Sequence, residues 1–253
     1  VLKGIPVTFV PTAEKLMPEL TTREEIVLLA RALWREGYND HLAGHITALQ
    51  PDGTLLCNPW LVRWDELRPD QIIRIDLDGN LLEGDWPVPL GIPLHLALHA
   101  ARTDVTWAVH NHPLYGTVWA DLGEIPPIHD QSSALGGGGD LVLVNEYEGP
   151  VNDLATARGA VDALRGGHLA LLAGHGVFVL GTSARALFQR AVALEQRCQR
   201  AWHIRALGAS PAPVLPAGFL NHMRNSDGNG FIGFWEAAVR AELRADPTLL
   251  DGR

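Results

Sequence analysis

Two histidines one residue apart, His110 and His112, end the run TWAVHNH, and a third, His175, stands between Gly174 and Gly176 in LLAGHGVFVLG. On an extended strand residues i and i+2 project from one face, so the first two imidazoles can converge on a single point. The glycines around His175 let a bulky complex approach the backbone. Three imidazoles form a donor set for one divalent transition metal per chain, Zn²⁺, Mn²⁺ or Fe²⁺, with positions left open for substrate or water. A lone histidine is more often an ordinary core or surface residue; the arrangement of three is what points to a metal.

Strands and helices must bring these residues together. TWAVHNH reads as a short buried strand, and HLALLAGHGVFVLG as two strands joined around Gly174-His175-Gly176. LHLALHAARTD has helical periodicity and puts His95 and His99, four apart, on one face. His95 is expected to face the site, as an alternative ligand or a partner of a ligand, and His99 to pack along its helix. HLAGHITALQPDGTLLCNP predicts a β-hairpin turning at Pro51-Asp52-Gly53, and IIRIDLDGNLLEG a second turning at Asp78-Gly79-Asn80.

Helices are predicted over TTREEIVLLARALWREG, capped by Thr21 or Thr22 and stopped at Gly37, and over LYGTVWADLG. Another starts near Asp153, and the longest is capped by Thr182 or Ser183 and ended by Gly208. IPPIHDQSSALGGGGD reads as a loop. His129, His203 and His222 suit subunit contacts, and His168 opens a strand. Arg63, Arg68 and Arg74 offer guanidinium forks for a substrate carboxylate.

The 253 residues, 47% hydrophobic, suffice for one α/β domain, expected over 1–208. A Pro-rich linker and a final helix, 209–253, are expected to pack on that domain or on a neighbouring subunit. The net charge of −9, with no cluster of Lys or Arg, lacks the electrostatic footprint of nucleic-acid binding and leaves a small molecule as the expected partner. Cys57 and Cys198 form no ligand spacing and suit a reducing compartment. With neither a signal-peptide pattern nor a membrane span, the expected location is the cytoplasm.

GIPLHLALHAARTDVTWAVHNHPLYGT and LLAGHGVFVLG, with HLAGHIT, RIDLDGNLLEG and the helix after TSARAL, resemble the class II aldolase/adducin family over residues 20–207. The resemblance implies a three-layer α/β/α fold around a largely antiparallel sheet. It also implies homotetramers with active sites between subunits, and a metal held by His110, His112 and His175.

The departures from that family narrow the chemistry. Where its sugar-phosphate aldolases carry a Ser-Ser-Glu segment, this chain has Pro89-Leu90-Gly91, and Gly91 has no side chain to accept a proton. The phosphate loops become Ala43-Gly44-His45 and Asn58-Pro59-Trp60, which argues against a phosphorylated substrate. Gly44, Gly91, Trp60 and Trp64 are expected to line a flatter pocket for an aromatic or planar substrate, with simple core packing of the tryptophans as the alternative. His45 stands at the family's Asn position. Asp130 stands near that of a tyrosine acting across the subunit interface. Either His45, His95 or Asp130 is expected to transfer protons, although Asp130 also suits a loop cap.

A metal-dependent carbon–carbon lyase follows, with non-oxidative decarboxylation of a hydroxy-aromatic carboxylate favoured. The alternatives are an Fe²⁺-dependent oxidative decarboxylase, an aldolase or epimerase on an unphosphorylated substrate with Asp130 as base, and a non-catalytic adducin-like module. The segment GFLNHMRNSDGNGFIGFWEAAVR is a candidate lid, or core packing.

Overall fold

The first helix, α1 (Thr22–Arg35), shows how local sequence sets the ends of elements. The backbone N–H and the hydroxyl of Thr21 donate to the Glu24 carboxylate at 2.7 and 2.9 Å, while the Thr21 hydroxyl accepts from the Glu24 N–H, a capping box at the predicted position. Its apolar face, from Ile26 to Leu33, is buried. The computed structural model describes residues 16–134, 141–145, 154–208, 215–216, 218–220 and 232–251.

Both predicted hairpins form. Strand β1 (His45–Leu49) pairs antiparallel with β2 (Leu55–Cys57), and β3 (Ile73–Ile75) with β4 (Leu81–Glu83). The tight turns are held by the carboxylates of Asp52, which accepts from the Thr54 N–H, and Asp76, which accepts from the N–H groups of Asp78 and Asn80. Helix α2 (Ile92–Ala101) leads into β5 (Trp107–Asn111), followed by α3 (Leu114–Leu122). The segment read as loop contains a one-turn helix, α4 (Gln131–Ala134), and the apolar LVLV beyond it is strand β6 (Leu141–Val144). Four apolar residues carry no period of their own, so LVLV gave no strand signal.

Helix α5 (Leu154–Ala163), strands β7 (Leu169–Leu172) and β8 (Gly176–Gly181), the long α6 (Ala184–Ala206) and α7 (Phe234–Ala245) complete the described chain. The Ser183 hydroxyl caps α6. The strands form one sheet in the order β4-β3-β2-β1-β5-β8-β7-β6, antiparallel throughout except for the β6–β7 pair. One face, with Ile46, Val109, Val177 and Val179, packs on α1, α3 and α6. The other, with Ala108, Phe178 and Leu180, packs on α2 and α5, giving the three layers that the family resemblance implied.

Helix α7 packs on α1 and α6 of its own chain: Trp235 is buried, and the Arg185 guanidinium donates to the buried Glu236 carboxylate at 2.6 Å. Phe234 is half exposed, while Phe231 and His222 lie outside the described residues. No helix among the described residues is long and apolar enough to cross a membrane. Both cysteines are buried and free.

Glu195, on α6, closes the start of α3. Its carboxylate accepts from the N–H groups of Tyr115 and Gly116 at 2.9 and 2.8 Å, two of the donors a helix N-terminus leaves unpaired. Burial raises its pKa to about 7, against the lowering pull of those N–H groups. A carboxyl that ionises at higher pH folded than unfolded costs stability as pH rises from 4.5 through 7, because the folded state then binds more protons. Urea titrations of wild type and Glu195→Gln across pH 4 to 8 should therefore differ in slope. The wild type is expected to lose about 3 kcal/mol more than the variant over that window, and parallel curves would refute the assignment.

Candidate metal centre

The register between β1 and β5 sets His45 directly opposite His110, and that between β5 and β8 sets His110 opposite Phe178. Directly opposed residues share a sheet face, so His45 and His110 project together and their rings stack with centroids 5.5 Å apart. His112 follows two residues on, and His175 approaches from the turn before β8. The rings of His110, His112 and His175 lie 4.6 to 5.0 Å apart, and one nitrogen from each lies within 4.8 Å of the others.

The hydrogen bonds of two of these rings decide which nitrogen is free. His110 Nδ1–H donates to the Val177 carbonyl at 2.9 Å; a carbonyl only accepts, so the Nε2 lone pair remains. His112 Nδ1–H donates to the Asp40 carboxylate at 2.7 Å, and its Nε2 is buried with no protein partner. An orphaned buried acceptor next to two further imidazoles fits a metal ligand whose outer nitrogen is held by a carboxylate. Asp40 also accepts from His41 Nδ1, and its hydrogen bonds to the two imidazoles keep its pKa low despite partial burial. Burial is the main cause holding His110 well below the usual imidazole value and His175 at about 4, so both rings are neutral near pH 7, the form in which an imidazole can ligate a metal.

Asp40 was invisible in the sequence: 72 residues separate it from His112, and it falls between the first predicted helix and the first predicted hairpin. Asn111 and Asn58 were missed in the same way. Asn111 accepts from the His112 N–H and donates to the Ala43 carbonyl, and Asn58 accepts from the Ile46 N–H and donates to the carbonyls of Gly44 and Pro59. These amides hold the loop 43–45 against the end of β5.

The two predicted glycines act by leaving room. Gly44 has φ +115, and a Cβ there would lie 2.2 Å from Asn111 Nδ2 and 2.7 Å from the Trp64 ring. A Cβ on Gly91, at the start of α2, would lie 2.3 Å from His45 Cε1. The His45 imidazole thus fills the space that a side chain at position 91 would need. Burial lowers the His45 pKa to about 3, with the neighbouring His112 and His175 adding to the effect, so the ring is neutral at ordinary pH.

The remaining candidates divide between the alternatives read for them. Trp64 is 2% exposed inside the core and backs Gly44, so it does not line an open pocket; Trp60 is half buried, with its backbone N–H donating to the Pro87 carbonyl. Asp130 caps α4 through the N–H and hydroxyl of Ser133 and pairs with Arg200 at 2.6 Å, so within its own chain it is a structural carboxylate. The three candidate arginines serve nearby acids: Arg63 pairs with Asp65, Arg68 with Asp246, and Arg74 with Asp52 and Glu83. His95 does adjoin the site, its ring edge-to-face with His45 at 5.7 Å. His99 is 6% exposed, buried with its helix face as expected, and shares with His95 a hydroxyl partner in Thr47.

Comparison with known proteins gives the family and the fold. The family model described as "Class II Aldolase and Adducin N-terminal domain" matches residues 24–202. A 5-methylthioribulose-1-phosphate/5-deoxyribulose-1-phosphate aldolase from Rhodospirillum rubrum is 31% identical, over 78% of this chain and 87% of its own. A 3-oxo-tetronate 4-phosphate decarboxylase from Escherichia coli is 28% identical, over 82% of this chain and 97% of its own. Among solved structures, an L-fuculose 1-phosphate aldolase from Glaciozyma antarctica superposes with TM-score 0.79 at 20% identity, covering 95% of this chain and 99% of its own. With the family model spanning most of its length and the layered sheet in place, the chain belongs to the class II aldolase/adducin family.

Proposed function

We propose that this protein is a divalent-metal-dependent lyase that releases CO₂ without oxidation from an unphosphorylated hydroxy-aromatic, or similarly planar, carboxylate. The observation that carries the reading is the exchange of space between Gly91 and His45: no carboxylate stands at the start of α2 to work on a sugar carbon, and a neutral imidazole fills that room beside the histidine trio. The loop 43–45 offers no hydroxyl, and the Asn58 amide is taken up by backbone groups, which argues against a phosphate there.

His110, His112 and His175 would hold the metal, which when bound supplies a Lewis acid favouring negative charge on a substrate oxygen. Asp40 and the Val177 carbonyl fix the ring orientation of two of the ligands. His45 accepts the proton of the substrate hydroxyl and passes it to the carbon that bears the carboxylate; the C–C bond then breaks and its electron pair stays in the ring as CO₂ leaves. The side where His112 and His175 remain partly exposed is where a second copy is proposed to complete the site in a homotetramer.

Aldol cleavage is the second reading, favoured by the Rhodospirillum rubrum relative. Against it stand the missing side chain at Gly91 and the engagement of Asp130 by Arg200 and Ser133.

Elemental analysis of the purified protein should find one divalent metal per chain, and anaerobic incubation with a panel of hydroxy-aromatic carboxylates should release CO₂. His110→Ala is expected to abolish both, and His45→Asn to keep the metal while slowing turnover by about 10²- to 10⁴-fold. CO₂ release only with Fe²⁺ and O₂, or aldehyde release from sugar phosphates alone, would overturn the non-oxidative decarboxylase. Asp40→Asn should weaken metal binding by about 10- to 100-fold in a chelator competition assay, and an unchanged affinity would remove Asp40 from the centre.

A further inference from the structure

Only Pro113 separates His112 from the first residue of α3. Pro113 is the N-cap residue and has no side-chain oxygen, so this helix cannot cap itself. Its second and third N–H groups, on Tyr115 and Gly116, instead donate to the Glu195 carboxylate, one to each oxygen, at 2.9 and 2.8 Å. A buried acid on α6 thus does what a Ser or Asp at the N-cap does locally.

The same turn is packed against the groups that aim two of the three histidines. Gly116 is buried, and a Cβ on it would lie 2.6 Å from Val177 Cγ1 and 3.3 Å from Glu195 Oε2, so the turn meets β8 with no side chain between. The carbonyl of that valine accepts from His110 Nδ1–H. One residue earlier on β8, a Cβ on Gly176 would lie 2.6 Å from both the Asn111 carbonyl oxygen and His112 Cδ2. The backbone of His112 is held on one side by Asn111, whose amide oxygen accepts its N–H, and on the other by the chain entering α3. A shift of that first turn therefore moves the backbone from which His112 projects and presses on the valine that orients His110.

We propose that Glu195 is a positioning residue of the histidine trio: by capping α3 from across the fold, it fixes the exit of β5 and the Gly176-Val177 pair, and so the aim of His112 and His110. Glu195 touches neither substrate nor the histidines. Its effect on metal affinity rests on the reading of the trio as a metal centre; its effect on the free histidines does not.

The first readout is NMR of full-length, metal-free protein labelled with ¹⁵N-histidine, following solvent exchange of the His112 Nδ1 proton held by Asp40, assigned by its loss in His112→Gln. Exchange should be about tenfold faster in Glu195→Gln. Gly116→Ala, which favours helix but sets a methyl against Val177, should have the same effect. Glu236→Gln, which alters another buried carboxylate bonded to α6, should leave the exchange unchanged. Chelator competition for Zn²⁺ should then show affinity about tenfold weaker in Glu195→Gln and Gly116→Ala, and wild-type affinity in Glu236→Gln. A helix cap with no further role would leave the histidines of Gly116→Ala as they are. Wild-type exchange and affinity in folded Glu195→Gln overturn the proposal, and where that variant fails to fold, Gly116→Ala decides by the same two readouts. If the wild type itself binds no Zn²⁺, the metal centre fails while the exchange rates still decide the positioning role.

Discussion

The antiparallel register of β1, β5 and β8 is the constraint on which the rest of the site depends. It puts His45, His110 and Phe178 in one row across three neighbouring strands, all on the face covered by α2. Side chains alternate faces with period two, so a slip of one residue would send His110 into the layer of α1 and α6 and replace it with Val109. The register is specified strongly because both faces are buried: Val109 and Val177 belong to one core as fully as Phe178 belongs to the other. The histidine trio is therefore fixed by the apolar residues between its members as much as by the histidines themselves.

Around that row the site is built from exclusions. Neutral imidazoles crowd together because burial disfavours their charged forms, and each proton is assigned by an outer partner that only accepts, the Val177 carbonyl for His110 and the Asp40 carboxylate for His112. Gly91 and Gly44 contribute by having no side chains, which gives the His45 ring and the Asn111 amide their places. Substitution at one of these glycines would therefore act through its neighbour, displacing a functional side chain without touching substrate.

The three histidines, the two hairpins, the cap of the first helix and the face shared by His95 and His99 were legible because each depends on local spacing. What was not legible depends on distant pairing. Asp40 reaches His112 across 72 residues, and Thr47 meets His95 and His99 only once β1 lies under α2. Charge type alone misled in places: Arg63, Arg68 and Arg74 suit a carboxylate clamp in any sequence, yet each is taken up by acids of its own chain. Trp64 was left between two readings, since aromatic residues mark pockets and cores alike, and its near-complete burial selects the core.

The most direct test of the central claim is anomalous diffraction from crystals grown with Mn²⁺ or Zn²⁺. The account predicts one strong peak per chain, about 2.0 to 2.3 Å from Nε2 of His110, Nε2 of His112 and a ring nitrogen of His175, with Asp40 still bonded to Nδ1 of His112. A peak elsewhere, or ordered histidines with no peak between them at saturating metal, would contradict it.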